Sequence, residues 1–403
     1  MLLLLLFMQE EHMVAMIWIM IFCGIIHGVF LFLRETMSRN RFRDIMKYLR
    51  FDLKSTRTQR LESDKFALFS DIWNKFIRNC AISYKPGENL VVDEQLFPSK
   101  ARCKFIQYMP NKPDKLGIKI WMLVDVDSKY MCNAFRYLGK NTSRSETESL
   151  PENVVMRLLS HYLNSGRNLT TDNYFSSLSL ARRLKMKNTS FFGTVRRHRQ
   201  EIPHEVRKSK TRLFEIVLLK NGETTLTVYQ GKRNKNVLLL STLHPSVNID
   251  SQNKKKLPET VEFYNKTKYG VDIVDKMTRK YSVRAVSRRW PVHVFYNMLD
   301  LTRTNAYIIY DKLSGKNNAR HDFLFQLAEE LRELYLNRRK TAKLPQEISK
   351  SSNRLSKNRH QCQIGLCSNN KTSDVCKKCS YYVCGKCTSN IEKVAFCKNC
   401  EKL

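Results

Sequence analysis

Acidic side chains are scarce in this 403-residue chain. It carries 37 Asp and Glu residues against 71 Lys and Arg residues, which gives a formal net charge of +34 at pH 7. Such a surplus of one sign opposes compaction of the chain unless a polyanion offsets it. The composition therefore disfavours a basic protein without a polyanionic partner. It indicates nucleic acid as the first class of partner and an anionic membrane surface as the second.

The N-terminal region lacks charge altogether over one long stretch. Residues 13–33 contain no acid, lysine or arginine, and their number matches a membrane-spanning helix. Against that interpretation, the stretch includes Cys23, His27 and two glycines. The residues before it have no basic start, which disfavours a cleaved signal peptide. A transmembrane helix over residues 13–33 is kept as an alternative.

Four acids are candidates for a metal site. Asp93 follows the apolar run 90–92, and Asp172 follows residues 168–171, so each is predicted to stand where a buried strand ends. A carboxylate in that position costs free energy unless a positive group, such as a metal ion, meets it. The alternative is that each Asp caps the turn that follows it and binds no metal. The other two candidates, Asp272 and Asp275, share one face of a predicted helix.

A predicted hairpin lies between the two acid-bearing strands. Residues 117–126 and 130–138 are its strands, and a tight turn joins them. Asp125 and Asp127 lie at this turn and are rival candidates for the metal site. Because an Asp in a tight turn commonly bonds to nearby backbone, we expect these two acids to hold the turn instead.

Cysteine is sparse along most of the chain and concentrated at its end. Eight of the 12 cysteines lie in the last 42 residues, in four close pairs. Because a two-residue spacer puts both thiolates on one metal, the four pairs predict two tetrahedral Zn²⁺ sites. Disulfides are disfavoured, since nothing else marks the chain as secreted. The predicted zinc ligands are Cys362, Cys367, Cys376, Cys379, Cys384, Cys387, Cys397 and Cys400.

Two basic segments are candidates for contact with DNA. Residues 182–212 hold 11 basic residues against Glu201 and Glu205, and two phenylalanines lie among them. Aromatic and basic side chains that alternate are typical of nucleic-acid surfaces, although solvated loops can carry the same charge. The second cluster follows Asp275. The arginines predicted to contact DNA are Arg196, Arg197, Arg199, Arg284, Arg288 and Arg289.

Eight short sequence motifs occur in one order along the chain. They are VDEQL at 92–96, YMPNKP at 108–113, GIKI at 117–120, TDNYFS at 171–176, FGTV at 192–195, YNKTK at 264–268, GVDIVD at 270–275 and RRWP at 288–291. Together they resemble the piggyBac transposase family, and the resemblance extends from about residue 37 to the C-terminus. The order of the motifs carries the resemblance, because no single motif is specific.

The resemblance implies a cut-and-paste DNA transposase with an α/β fold. Its RNase H-like catalytic core would carry a β-rich insertion, flanked by a split helical domain and a C-terminal cysteine-rich zinc module. Asp93, Asp172 and Asp272 match the family's metal-binding acids, and Asp275 is an accessory carboxylate. The implied cofactor is Mg²⁺ or Mn²⁺, with two ions that activate the attacking oxygen and stabilise the leaving one. The implied partners are double-stranded DNA, as transposon ends and target site, and a second copy of the chain.

The domain boundaries follow from these assignments. Residues 1–33 are expected to be the remnant of a shortened helical domain. The Lys- and Arg-rich stretch 339–359 is predicted to be a linker that also acts as a nuclear localisation signal, which places the protein in the nucleus. The split helical dimerisation and DNA-binding domain comprises residues 34–87 and 283–338. The catalytic core comprises residues 88–199 and 259–282, the β-rich insertion spans 200–258, and the zinc module spans 360–403.

The alternative function is a domesticated, non-catalytic DNA-binding protein derived from a transposase. The complete set of acids argues against it, whereas the shortened N-terminus argues for it. A third class, a membrane-anchored protein with a zinc-bound interaction tail, depends on residues 13–33 alone.

Within the tail, cross-braced zinc ligation is predicted. The first cysteine pair would share a metal with the third pair, and the second pair with the fourth. A ubiquitin-ligase RING fits less well, because the third pair lacks the His usual there. Family members often place a His among the eight ligands, so His360 is a candidate substitute for one cysteine.

Overall fold

The computed structural model divides the chain into two compact units, residues 1–342 and 343–403. Within the described ranges, no helix is long and apolar enough to cross a membrane. The apolar segment 1–33 and residues 342–358 of the predicted linker lie outside those ranges. The described residues are 36–139, 149–208, 212–233, 235–249, 254–315, 318–341, 359–364, 367, 370–376 and 379–388.

Among the residues from 36 onwards that the structure describes, three helices precede the first strand: α1 at Arg39–Tyr48, α2 at Arg57–Ser63 and α3 at Ser70–Ser83. Helix α1 begins after Ser38, whose side chain accepts a hydrogen bond from the backbone N–H of Arg41 at 3.3 Å. From the sequence, Ser38 is predicted to cap a helix, and a second helix is predicted to have one apolar face. The residues of that predicted face are Phe69, Ile72, Trp73, Phe76, Ile77 and Cys80. Both predictions are confirmed, because Ser38 caps α1 and Trp73, Phe76 and Cys80 of α3 are buried.

A nine-stranded mixed sheet forms the centre of the first unit. Its spatial order is β2-β3-β1-β5-β6-β9-β8-β7, and β4 also pairs with β3. The strands are β1 at Asn89–Pro98, β2 at Ile106–Tyr108, β3 at Leu116–Asp125, β4 at Met131–Arg136, β5 at Asn168–Thr171, β6 at Ser190–Thr194, β7 at Ile216–Asn221, β8 at Thr224–Lys232 and β9 at Lys235–Ser241.

The direction of the strands divides the sheet into three regions. Strands β1, β5 and β6 run parallel, whereas β3 is antiparallel to β1 and forms the predicted hairpin with β4. On the other side, β9 pairs antiparallel with β6, and β8 and β7 follow. The strands of the predicted insertion, residues 200–258, therefore extend the main sheet.

Helices cover both faces of this sheet and enclose two apolar cores. Side chains alternate along β1, as a strand requires. Val91 joins the core formed with α3, α8 and α9, whereas Leu90 and Val92 join the core formed with α4 and α5. The remaining helices of the first unit are α4 at Leu150–Leu158, α5 at Leu178–Lys185, α6 at His204–Lys208, α7 at Glu259–Thr267, α8 at Gly270–Lys280, α9 at Trp290–Ser314 and α10 at Arg320–Thr341.

The described residues of the second unit contain little regular structure. Strand β10 at His360–Gln361 pairs antiparallel with β11 at Lys371–Thr372, and a short 3₁₀ turn spans Gly385–Cys387. Its described apolar centre consists of Cys376 and Val383. A domain of this size rarely has enough apolar core to fold by itself, so a structural metal fits its composition.

Candidate active site and cysteine cluster

Asp93 and Asp172 lie next to each other because of the strand register. Val92 pairs with Thr171 in the parallel ladder of β1 and β5, and the two acids are the residues that follow. Strand β5 ends at Thr171, as predicted. The backbone N–H of Tyr174 donates to Asp172 Oδ1 at 2.9 Å, which fixes the turn after the strand.

The prediction that the first strand ends at Asp93 is wrong. Strand β1 continues through Asp93 and Glu94 to Pro98, because β3 offers backbone hydrogen-bond partners along this whole length. Only the pairing with β5 stops at Val92. The acids therefore lie inside a strand, at the point where one of its two neighbouring strands has ended.

Burial and mutual repulsion act on the acid pair. Burial raises the pKa of Asp93 well above its usual range, and the negative charges of Glu94 and Asp172 raise it further. Burial also raises the pKa of Asp172, although the hydrogen bond from Tyr174 opposes the shift. Both carboxylates would become easier to ionise beside a cation. The donor set thus fits a divalent metal that prefers oxygen ligands.

Helix α8 lies across β1 at two anchor points. Gly270 packs so closely on Val91 that a Cβ atom built there would lie 2.3 Å from Val91 Cγ1. Further along, Gln95 Nε2 donates to Asp275 Oδ1 at 3.0 Å. Asp272 lies between these points on the helix, as Asp93 does on the strand. The site thus combines two elements that are distant in sequence.

The side chains of Asp272 and Asp275 have different surroundings. Asp272 is exposed in the first turn of α8. Asp275 is partly buried, which raises its pKa, while the Arg279 guanidinium counteracts the shift and donates to Asp275 Oδ2 at 2.9 Å. Arg279 also donates to Asp114, so it links α8 to the loop before β3.

Two lysines beside the acids were not singled out from the sequence. The ammonium groups of Lys112 and Lys119 lie 3.9 and 4.0 Å from the two carboxylate oxygens of Glu94. Burial lowers the pKa of Lys119, whereas Glu94, Asp93 and Asp172 raise it. Both lysines lie in sequence motifs that resemble the family, at 108–113 and 117–120. These motifs were the signal that could have identified them.

Tyr264 is a further neighbour that the sequence reasoning missed. Burial raises its pKa, and the charges of Asp172 and Asp93 add to this shift. Its hydroxyl group is 3.3 Å from Thr194 Oγ1, at the end of β6. Tyr264 and Thr194 therefore border the acid pair from a helix and a strand that follow it in sequence.

The six predicted DNA-binding arginines occupy different environments. Arg196 is exposed and donates to Asn173 Oδ1 at 3.1 Å, which brings its charge to the edge of the acid site. Arg199 lies 3.7 Å from Glu201, and Arg197 is partly buried in the same segment. DNA contact by these residues stays a prediction.

The second arginine cluster lies between α8 and α9. Arg284 and Arg288 are exposed. Arg289 instead donates to backbone carbonyls at the end of α1, with distances of 3.1 Å to Met46 and 3.1 Å to Lys47. These bonds satisfy carbonyls that a helix end leaves unpaired and join the two helical segments of the first unit. Arg289 thus has a structural role in addition to its predicted DNA contact.

Of the two rival acids, Asp125 holds the β3–β4 turn. Ser128 and Tyr84 donate through their hydroxyl groups to Asp125 Oδ2, at 2.5 and 2.9 Å. Asp127 is exposed in the same turn. The turn role expected for Asp125 is therefore observed.

Four cysteines of the second unit converge. The sulfur atoms of Cys362, Cys367, Cys384 and Cys387 all lie within 4.8 Å of one another, which combines the first pair with the third. Although burial opposes it, hydrogen bonds from Asn370 and neighbouring thiols lower the pKa of Cys384 to about 6, which favours the thiolate that binds metal.

The other predicted zinc ligands are less completely described. Cys376 is buried and Cys379 lies near it in the small core. Cys397 and Cys400 lie outside the described residues. His360 stacks on Tyr382, with ring centroids 4.2 Å apart, and does not belong to the four-cysteine group.

Across the described residues, this cysteine group is the only place where three or more potential ligand atoms lie within 4.8 Å of one another. The carboxylate oxygens of Asp93, Asp172 and Asp272 are not drawn together to that extent. The acid site therefore differs from the cysteine site in its spacing as well as in its ligand type.

Comparisons with known proteins identify relatives of this chain. A family model described as Transposase IS4 matches residues 20–307. The human PiggyBac transposable element-derived protein 3 is 23% identical over 271 residues, which are 63% of this chain and 45% of that protein. A cryo-EM structure of a piggyBac transposase synaptic complex with hairpin DNA matches with a TM-score of 0.77 and 31% identity, over 97% of this chain and 88% of that chain. The chain spans less than half the length of the human relative.

Proposed function

This chain belongs to the piggyBac transposase family, and from that premise we propose that it is a DNA transposase that cleaves and joins DNA strands with divalent metal ions. The observation that carries the proposal is the position of two partly buried acids beneath a helix that bears Asp272 and Asp275. Asp93 lies in β1, and Asp172 directly follows the adjacent strand β5. The DNA in the complex of the structural relative supports nucleic acid as the substrate class.

We infer that strands β4, β3, β1, β5 and β6 form an RNase H-like catalytic core. Their order supports it, because two antiparallel pairings are followed by two parallel ones and the acids stand at the centre. The loops after parallel strands are a common place for active sites. The β7–β9 segment would then be the insertion, joined to the edge of this core.

Each acid would have a definite role. Asp93 and Asp172 would hold Mg²⁺ or Mn²⁺, with Asp272 as the third ligand. Bound ions of this class stabilise the charge that develops on the oxygens of a phosphodiester during displacement. Gln95 and Arg279 keep the carboxylate of Asp275 in one orientation, which suits a supporting role.

The second unit is proposed to hold two Zn²⁺ ions in a cross-braced arrangement. Cys362, Cys367, Cys384 and Cys387 fit the first ion, because four sulfur ligands in one group match a structural zinc site. The second ion would bind Cys376, Cys379, Cys397 and Cys400. His360 is not needed for the first site, since four thiolates already complete a tetrahedron.

The partners and the compartment follow from the same function. Transposon ends and target DNA would contact the basic surface that includes Arg196 and Arg199, because an excess of 34 positive charges attracts phosphate. A second copy of the chain would bring the two element ends together. We propose a nuclear location, since the basic stretch 339–359 can serve as a localisation signal.

A cleavage assay tests the catalytic proposal. The full chain is incubated with labelled duplexes that carry the element ends flanking its coding sequence, with and without Mg²⁺. Asp93→Asn, Asp172→Asn and Asp272→Asn should each abolish cleavage while DNA binding persists. Asp275→Asn should reduce cleavage about 10–100-fold, as removal of an outer-shell partner does.

Asp127→Asn is the matched control, because Asp127 is an exposed acid at the far end of the same strands. It should leave cleavage unchanged. Near-wild-type cleavage by two of the three single variants would overturn the metal-site assignment. If the unaltered chain bound the element ends and did not cleave them, the domesticated DNA-binding function would replace the catalytic one.

A further inference from the structure

Lys112 and Lys119 form a charged cluster with Glu94 beside the acid pair. The three side chains are largely withdrawn from solvent, with 24%, 14% and 15% of their surface exposed. One carboxylate thus serves as the counter-ion of two ammonium groups. When cations neutralise Asp93 and Asp172, the cluster retains surplus positive charge next to the place where the acids act.

The position of Lys119 is fixed by aromatic rings. Its Nζ atom lies 3.7 Å from the centroid of the Trp121 ring and 5.2 Å from that of Tyr174. The two rings stack on each other, 5.6 Å apart with an angle of 18° between their planes. Ring faces attract an ammonium group, so they hold Lys119 where it is. Tyr174 belongs to the turn that Asp172 begins, which ties the lysine to the acid.

Neutralisation of Glu94 alone does not explain both lysines. Lys112 already lies beside the Glu94 carboxylate, and it also donates to the backbone carbonyl of Glu94 at 3.1 Å. A single lysine balances a single carboxylate. Asp93 and Asp172 also favour the charged form of Lys119. Once cations neutralise these two acids, Lys119 is left without a carboxylate of its own, and its burial costs free energy unless an anion joins the site.

We propose that Lys119 and Lys112 form a binding site for one phosphodiester group of DNA, with Glu94 as their counter-ion when DNA is absent. This rests on the proposed function, which identifies the group as the phosphate on which Asp93 and Asp172 act. An ammonium group binds phosphate as a point charge with three donors. The phosphate replaces Glu94 as the partner of Lys119 and neutralises the charge of its ammonium group.

A charge-deletion scan tests this site by binding alone. Element-end duplexes are prepared with one neutral methylphosphonate at successive positions across the element boundary. The Kd of the full chain is measured for each in Ca²⁺, a cation that binds carboxylate oxygens and so neutralises the acid pair. The unaltered chain should lose about 10-fold in affinity at one position, the effect of a charge-assisted hydrogen bond. We call this position-specific loss of affinity the peak. The Lys119→Met variant should lack the peak, so that it binds the duplex with a methylphosphonate at that position as tightly as the neighbouring duplexes.

Two further variants keep the test decisive if Lys119→Met does not fold. Lys119→Arg should retain some of the peak, because the charge persists in a different shape. Glu94→Gln should enlarge it, because the phosphate no longer competes with a carboxylate. Lys185→Met is the matched control, since Lys185 is a half-exposed lysine 3.5 Å from Glu223 on the surface of the same unit. It should leave the peak in place.

The same peak in the unaltered chain, Lys119→Met and Glu94→Gln would overturn the proposal, and so would the absence of any peak in the unaltered chain. These outcomes are distinct from failure of the catalytic proposal. If the peak depends on Lys119 but the unaltered chain does not cleave DNA in Mg²⁺, the phosphate-site proposal is supported and the catalytic proposal is wrong. Cleavage that depends on Asp93, without such a peak, would remove the phosphate site only.

Discussion

Asp93 shows how the surroundings of one carboxyl group set its chemistry. Burial and the charges of Glu94 and Asp172 disfavour its ionised form, whereas Lys112 and the backbone N–H of Glu94 favour it. The first set is stronger, so the folded chain raises the pKa of Asp93. A site built in this way stores repulsion that a bound cation relieves.

A pH dependence of stability follows from this shift. The folded pKa of Asp93 lies above its unfolded value, so its contribution is most favourable below the unfolded pKa and is lost as the pH rises through the folded one. Without added divalent cations, Asp93→Asn should therefore be more stable than the unaltered chain at about pH 8, and the difference should shrink towards about pH 4. Urea unfolding across that range measures it. Asp127→Asn should follow the unaltered chain; a pH-independent difference for Asp93→Asn would contradict the expectation.

Helix α8 is the element that completes the proposed active site. Its first residue lies on Val91 with no room for a side chain, and its middle is tied to Gln95 and Arg279 through Asp275. The helix therefore has little freedom to move along β1. The separation between Asp272 and the strand acids depends on this close contact.

Gly270→Ala should displace α8 from β1. The added Cβ atom would lie 2.3 Å from Val91 Cγ1, so we expect a loss of about 1–3 kcal/mol in stability from overpacking and about a 100-fold loss of cleavage from misplaced acids. Denaturation and the element-end cleavage assay measure the two effects.

The double variant Val91→Ala with Gly270→Ala should recover much of the cleavage, because the opposing methyl groups are removed. Gly87→Ala is the control, since its added Cβ would meet the nearest atoms at 3.4 Å, an ordinary contact. Equal activity of Gly270→Ala and the unaltered chain would show that the packing of α8 does not set the acid geometry.

The whole molecule combines two units with different sources of stability. The first unit has two extensive apolar cores on either side of a nine-stranded sheet. The described residues of the second unit form a small core and a group of four cysteines. The first should therefore fold without metal, whereas the second should depend on it.

Metal chelation should affect the stability of the two units differently. Native mass spectrometry should detect about two zinc ions per chain, and a zinc chelator should unfold residues 360–403 while the thermal transition of the first unit persists. Cys362→Ser should lose one zinc ion. Cys103→Ser, which changes a partly buried cysteine of the first unit, should retain both. Disulfides between the tail cysteines, or a single zinc ion in the unaltered chain, would contradict the two-site assignment.

The sequence by itself determined the family, the start of α1, the 117–138 hairpin and the end of β5. Local signals were sufficient there, because Ser38 caps α1 through its own first turn and the 117–138 hairpin needs only neighbouring residues. The order of the sequence motifs around the four acids identified the transposase family, although no contact between the acids was known.

Tertiary structure alone decided where those acids meet and what surrounds them. Strand β1 runs past Asp93 because β3 pairs with it, and a pairing partner cannot be read from an apolar run. Lys119 lies beside Glu94, and Arg289 beside the end of α1, through contacts between elements far apart in sequence. Periodicity reports which face of an element is buried, whereas the neighbour on that face is set by how the whole chain packs.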